Sequence, residues 1–112
     1  MGTTKRNTEL LPGTLDMLIL KSLRHGPIHG YGIAQHIQQA SEGVLRVGEG
    51  SLYPALQRLL AAGWLAADWG VSDNNRRARY YKLTPAGRKR LGAEMDEFGR
   101  NIGAIARVMQ AE

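Results

Sequence analysis

The stretch Gly50-Ser51-Leu52-Tyr53-Pro54-Ala55-Leu56-Gln57-Arg58-Leu59-Leu60-Ala61-Ala62-Gly63 leaves the chain little choice. Pro54 has no N–H, so a helix here must hold it within about its first turn. Ser51 then suits the N-cap, where a hydroxyl accepts from a free amide, and Gly63 suits the C′ position. Leu52, Leu56, Leu59 and Leu60 recur at helical spacing and predict one buried stripe. The opposite face carries Ser51, Tyr53, Pro54, Gln57, Arg58 and Ala61, with no acid among them. A small-surfaced face beside a positive dipole end suits DNA reading. Taken alone, the stretch does not outweigh the plainer reading, an ordinary amphipathic helix on a small domain, and the rest of the chain decides between the two.

A chain of 112 residues with 43% hydrophobic side chains is long enough for one modest core. No run approaches the ~20 apolar residues of a membrane span. The first residues, Met1 to Leu11, are polar and lack the apolar centre of a signal peptide. The absence of cysteine excludes disulfides, zinc-thiolate sites and thiol chemistry. All of this is compatible with a reducing cytoplasm.

The net charge is +5, and its placement matters more than its size. Residues 1–75 carry equal numbers of acids and bases, whereas Arg76, Arg77, Arg79, Lys82, Arg88, Lys89 and Arg90 follow with no acid between them. In residues 91–112 acids outnumber bases. The basicity therefore reads as one local patch, the electrostatic footprint of a polyanion partner. A solvated charged face is the plainer reading of the same run.

In chain order, residues 1–9 read as a polar leader and Leu10-Leu11-Pro12-Gly13 as a turn capped by Thr14. A first helix from about Leu15 to Arg24 is apolar on most sides through Leu15, Met17, Leu18, Ile19, Leu20 and Leu23, and His25-Gly26-Pro27 ends it. A second helix runs from near Gly30 to about Ala40, with Ile33, Ala34 and Ile37 inward and Gln35, His36, Gln38 and Gln39 outward. Ser41-Glu42-Gly43 stops it, and Val44 to Val47 is extended. With the Gly50–Gly63 helix this is helix-turn-helix order. Trp64 to Trp69 and Arg76 to Leu83 read as strands around the turn residues Val71 to Asn75. A hairpin directly after the third helix is a wing, and its Asn and Arg tip suits phosphate contact and minor-groove insertion. Thr84-Pro85 opens a last helix, Thr as N-cap and Pro at N1. Along it Leu91, Met95, Phe98, Ile102, Ile105 and Met109 recur at alternating steps of four and three, a heptad seam. A rod of ~39 Å outruns the core of a domain this size, so the seam predicts a partner helix. Gly92, Gly99 and Gly103 weaken the isolated helix and permit close approach of another.

These elements together resemble the PadR-like transcriptional regulators along nearly the whole chain. Leu11-Pro12-Gly13-Thr14-Leu15-Asp16-Met17-Leu18-Ile19-Leu20 is similar to that family's first helix, and His29-Gly30-Tyr31-Gly32-Ile33 to the start of its second. Gly50-Ser51-Leu52-Tyr53-Pro54-Ala55-Leu56 with Arg58, Leu59 and Gly63 resembles its recognition helix, the most specific of the motifs. Arg79-Tyr80-Tyr81-Lys82-Leu83-Thr84 and Gly87 resemble its second wing strand and the start of its last helix. The resemblance implies a homodimer that binds operator DNA, usually as a repressor, and leaves room for a small-molecule effector at the dimer interface. Some members sandwich flat aromatics there with a Trp on the last helix; this chain has only Phe98 on that helix. Trp64 and Trp69 fall in the wing strand and read as core and cover.

The expected fold is thus α+β and mainly α: a winged helix-turn-helix of three helices and a two-stranded wing over residues 1–84, then a dimerisation helix over residues 85–112. The expected partner is double-stranded DNA. Gln57 and Arg58 are expected at base edges, Ser51 and Tyr53 at phosphate or a thymine methyl, Arg76, Arg77 and Arg79 of the wing at the backbone, and Pro54 and Asn75 within the same DNA-binding surface. Lys21 and Tyr31 are expected at phosphate near the start of the second helix. Leu91, Met95, Phe98, Ile102, Ile105 and Met109 are expected to pair two copies. The alternative is a winged helix that meets an acidic protein surface. No catalytic residue, cofactor or metal is expected. His25, His29 and His36 have no clustered carboxylates, Gly48-Glu49-Gly50-Ser51 lacks the lysine of a phosphate loop, and there is no G-x-S-x-G elbow.

Overall fold

The computed structural model describes residues 12–112; the expected leader, with Leu10 and Leu11, lies outside the described residues. Seven elements follow in order: α1 (Pro12–Ser22), β1 (Ile28–His29), α2 (Gly30–Ala40), α3 (Glu49–Ala61), β2 (Leu65–Val71), β3 (Arg77–Leu83) and α4 (Pro85–Gln110). The sheet order is β1-β3-β2, antiparallel throughout.

The first helix starts earlier than the sequence suggests. Pro12 and Gly13 lie inside α1, because a proline loses nothing in the first turn, where its N–H would have no partner. The helix also ends sooner: the amides of Leu23 and Arg24 bond back to Leu20 and Lys21 at 3.2 Å, an i→i+3 tightening in place of a last α turn. In α2 the bounds agree with the sequence. His29 is its N-cap, with Nδ1 accepting from the Gly32 amide at 3.0 Å. The helix closes with Gly43 N–H bonded to Gln38 and Glu42 N–H to Gln39, the paired bonds of a Schellman ending.

The third helix departs from expectation at its start. It opens at Glu49 with Gly48 as N-cap, so Ser51 is inside the helix and Pro54 sits beyond the first turn. A proline there removes the bond that the Gly50 carbonyl would otherwise accept. The end is as expected: Gly63, at φ +81°, donates to Leu60, and Trp64 donates to Leu59.

The wing strands pair from Leu65↔Leu83 at the base to Val71↔Arg77 near the tip. Asn75 adopts φ +59° at the turn, where its amide bonds to the Ser72 carbonyl. The strand β1 is absent from the sequence reading. It is two residues long, too short for any periodicity, and forms because Ile28 and His29 lie opposite Tyr81 and Tyr80 once α2 is packed.

One core gathers Leu15, Ile19 and Leu20 from α1 with Leu23 just beyond it, Ile33 and Ile37 from α2, and Leu52, Ala55, Leu56 and Leu59 from α3. Leu65, Tyr81 and Leu83 close it from the sheet and Leu91 from α4. Ala55 is fully buried and Leu60 only partly, so the stripe of α3 is centred one position off the expected one. Leu91, expected on the dimerisation seam, is withdrawn into the chain's own core at 6% exposure. Thr84 joins the wing to α4. Its hydroxyl accepts from Gly87 at 2.9 Å and donates to the Gly63 carbonyl at 2.7 Å.

Candidate nucleic-acid interface

The outward face of α3 forms as the leucine spacing requires. With Leu52, Ala55, Leu56 and Leu59 buried, Ser51, Tyr53, Pro54, Gln57 and Arg58 are left exposed. Because the helix begins at Glu49, this face opens on an acid that the sequence reading places in a preceding turn. Glu49 complements the helix dipole and repels anions at that end of α3.

Arg58 is not free. Its guanidinium donates to Asp16 Oδ1 of α1 at 2.8 Å, an ion pair that ties α3 to α1. The side chain expected at base edges is therefore held sideways by an acid that no local pattern links to it. Gln57 and Ser51, also exposed on α3, have no such tether among the described residues.

Lys21 is likewise elsewhere. It lies toward α4, with Nζ 3.9 Å from the Met95 sulfur, and not in the groove beside Tyr31. Tyr31 itself is 65% exposed at the start of α2.

The wing supplies the concentrated charge. Arg76 and Asn75 are exposed at the tip, and Arg77 and Arg79 are exposed on one face of β3. The Arg77 guanidinium lies 4.3 Å from the centre of the Trp69 ring, and that of Arg79 lies 5.8 Å from the Tyr81 ring. No ion pair among the described residues involves Arg76, Arg77 or Arg79. The basic run of residues 76–90 does not stay together as one patch, however. Lys82 alternates to the other face of β3. Arg88 donates to the Arg24 carbonyl at 3.2 Å, and Arg90 lies over Trp64 at 4.6 Å and pairs with Glu94. Part of the sequence patch is thus engaged by contacts within the chain, on the exposed joint between α4 and the core.

Tyr31, Tyr53, Arg77 and Arg79, distant in sequence, line one groove of about 380 Å³ between α2, α3 and the wing, together with His29, Trp69 and Tyr81. Tyr53 packs against the start of α2, where a Cβ on Gly30 would come within 3.1 Å of its ring. Burial, then the Glu49 carboxylate and the Tyr81 phenol, raise the Tyr53 pKa above 10.0, so its hydroxyl is a neutral donor at physiological pH. Trp69, expected as core or cover, is 60% exposed. The signal that would have placed it is strand parity: the pairing Trp69↔Arg79 puts Trp69 on the arginine face, a fact that needs the register.

Met95, Phe98, Ile102, Ile105 and Met109 lie exposed along α4, from 43% at Met95 to 77% at Met109. Val108, outside the expected seam, is exposed at 72%.

Comparison with known proteins agrees with this architecture. Residues 19–93 match the model of the Transcriptional regulator PadR-like family. An uncharacterized 37.1 kDa protein in a transposon of Streptomyces fradiae is 40% identical over 89 residues, 80% of this chain and 24% of that protein. The chain therefore spans about a quarter of that relative's length. A transcriptional regulator of Mycobacterium tuberculosis is 34% identical over 87 residues, 75% of this chain and 78% of that protein. Among solved structures, a transcriptional regulator from Clostridium thermocellum superposes with a TM-score of 0.77 at 28% identity, covering 85% of this chain and 92% of the other. Bacillus subtilis PadR in complex with operator DNA shares the fold, with a TM-score of 0.65 at 23% identity over 73% of this chain and 47% of that one.

Proposed function

The chain belongs to the PadR-like family of transcriptional regulators, and on that premise we propose that it is a homodimeric repressor whose two α3 helices read the half-sites of a palindromic operator. The observation that carries this reading is the pairing, on adjacent elements, of an exposed polar helix face with three wing arginines that no carboxylate neutralises among the described residues. Ser51, Pro54 and Gln57 face the base edges; Arg76, Arg77 and Arg79 with Asn75 and Tyr31 face the backbone. Arg58, tethered to Asp16, reaches DNA only by releasing that pair. The solved complex of a protein of the same fold with operator DNA supports the choice of duplex DNA as the partner.

The homodimer rests on α4. Five apolar side chains between Met95 and Met109 form a continuous exposed seam on a helix of 26 residues, the surface that a second copy covers best. An effector seated at that interface would find Phe98 as the one aromatic of α4.

Footprinting on the DNA flanking the gene tests the whole. The expected result is protection of an inverted repeat by a dimeric species at moderate salt. A chain that stays single at micromolar concentration and binds random competitor as well as any fragment would overturn it, and selective capture of an acidic protein instead would favour the interaction-module reading.

A further inference from the structure

We propose that Trp69 is a positioning residue for DNA binding: its ring holds the Arg77 guanidinium over the groove between the wing and α3, set to meet a phosphate before any DNA arrives. The role rests on the duplex partner proposed above.

The core does not account for Trp69. It is 60% exposed and lies outside the core cluster, whereas Trp64, the other tryptophan, packs against that cluster. What Trp69 does meet is Arg77, whose guanidinium lies 4.3 Å from the centre of its ring. In the strand register Arg77 stands opposite Val71 near the tip, and Trp69 stands two residues closer to the base, opposite Arg79. The stack is therefore a diagonal one, and the Arg77 side chain is turned back from the tip of the wing. There it lines the groove with Tyr31 of α2 and Tyr53 of α3. The ring thus moves a charge from open solvent to the cleft beside the proposed reader helix.

No other group gives Arg77 that direction. No acid lines the groove, and Arg77 has no ion pair among the described residues. Arg58 is the contrast, since a carboxylate directs it and must be released before the guanidinium reaches DNA. A ring lies against the face of a guanidinium and leaves the N–H donors in its plane free. It directs an arginine without neutralising it. An exposed stack of this kind favours the stacked arrangement roughly two- to fivefold. An arginine already ordered spares the complex a cost of similar size on binding.

The first measurement uses the full chain without DNA. The side-chain methylene protons of Arg77 should show upfield ring-current shifts that vanish in Trp69→Leu; unshifted protons in the unaltered chain overturn the inference. The second is an anisotropy titration of a labelled duplex across salt concentrations. A random sequence serves, because phosphate contact carries no sequence information. Trp69→Leu should weaken binding about two- to fivefold at each salt concentration with the log–log slope unchanged, because the phosphate contact is still made and only its ordering costs more. Trp69→Phe, which restores a ring, should recover most of the loss. In an Arg77→Ala background, Trp69→Leu should have no further effect. Unaltered affinity in Trp69→Leu overturns the inference. So does a slope lowered by more than about one unit, the mark of a wing lost as a whole. An undiminished effect of Trp69→Leu in the Arg77→Ala background also overturns it, by putting the ring itself on DNA. A chain that shows the ring-current shifts and binds no duplex sinks the operator reading and the role of the ring together. Duplex binding that Trp69→Leu leaves untouched sinks the role of the ring alone, so the two failures are distinct.

Discussion

Gly87 shows how much one position can decide. A Cβ there would run into the backbone carbonyl of Trp64, which itself accepts from the Thr84 amide. Backbone cannot step aside as a flexible side chain can. Gly87→Ala is therefore expected to cost about 2–4 kcal/mol, read as a lowered urea midpoint with an unchanged slope. Asp16 poses the opposite case. Its pair with Arg58 is on the surface, 48% exposed on the arginine side, so Asp16→Ala should cost no more than about 1 kcal/mol. The same change frees a guanidinium on the face of α3, and tighter DNA binding at low salt is the expected outcome in a titration across ionic strengths. Tyr53 adds a pH signature. Burial raises its folded pKa above 10.0, so the folded chain keeps that proton to higher pH than the unfolded chain does. Its contribution is full below the unfolded value and is lost as pH rises past it. Ultraviolet titration should show a late-ionising phenol that is lost in Tyr53→Phe.

At the scale of the element, the wing and α4 answer to different forces. The wing acts through charge. Replacing Arg76 and Arg77 with Ala should weaken binding to all sequences alike and lower the log–log salt slope by about 0.9 for each phosphate no longer neutralised; an unchanged slope counts against the wing. The rod α4 acts through apolar surface. Ile102 is 47% exposed in the single chain, so Ile102→Asp leaves the protomer's core untouched while placing a charge in the proposed seam. Sedimentation should then find folded monomer. The heptad pattern of α4 is legible from spacing alone, and Pro85–Gln110 forms as expected. Its first apolar residue is the exception, because a periodic pattern does not say where the core ends and the free seam begins. Leu91 is claimed by the core that α1 and the sheet provide.

For the whole molecule, a helix spanning 26 residues joined rigidly to the wing through Thr84 would hold two reader helices at one separation. The half-sites of the operator should then lie roughly 34 Å apart. Inserting about half a helical turn, roughly 5 bp, between them should abolish dimer binding while each half-site retains the weak affinity of one protomer, which a gel shift at matched salt can separate.

Helix-turn-helix order, the wing, the stop at Gly63 and the last helix could be read from the chain because each follows from interactions a few residues apart: apolar spacing, a cap, a proline, a glycine. What tertiary structure alone decided were the partners of long side chains and the origin of each face. Arg58 meets Asp16 from 42 residues away, Arg88 reaches the Arg24 carbonyl and Arg90 the Trp64 ring, β1 exists only opposite β3, and Trp69 takes the arginine face through strand register. A long charged side chain can satisfy itself in many directions, and sequence records its charge but not its direction. That choice is made by packing, which brings remote groups within bonding distance only after the helices are in place.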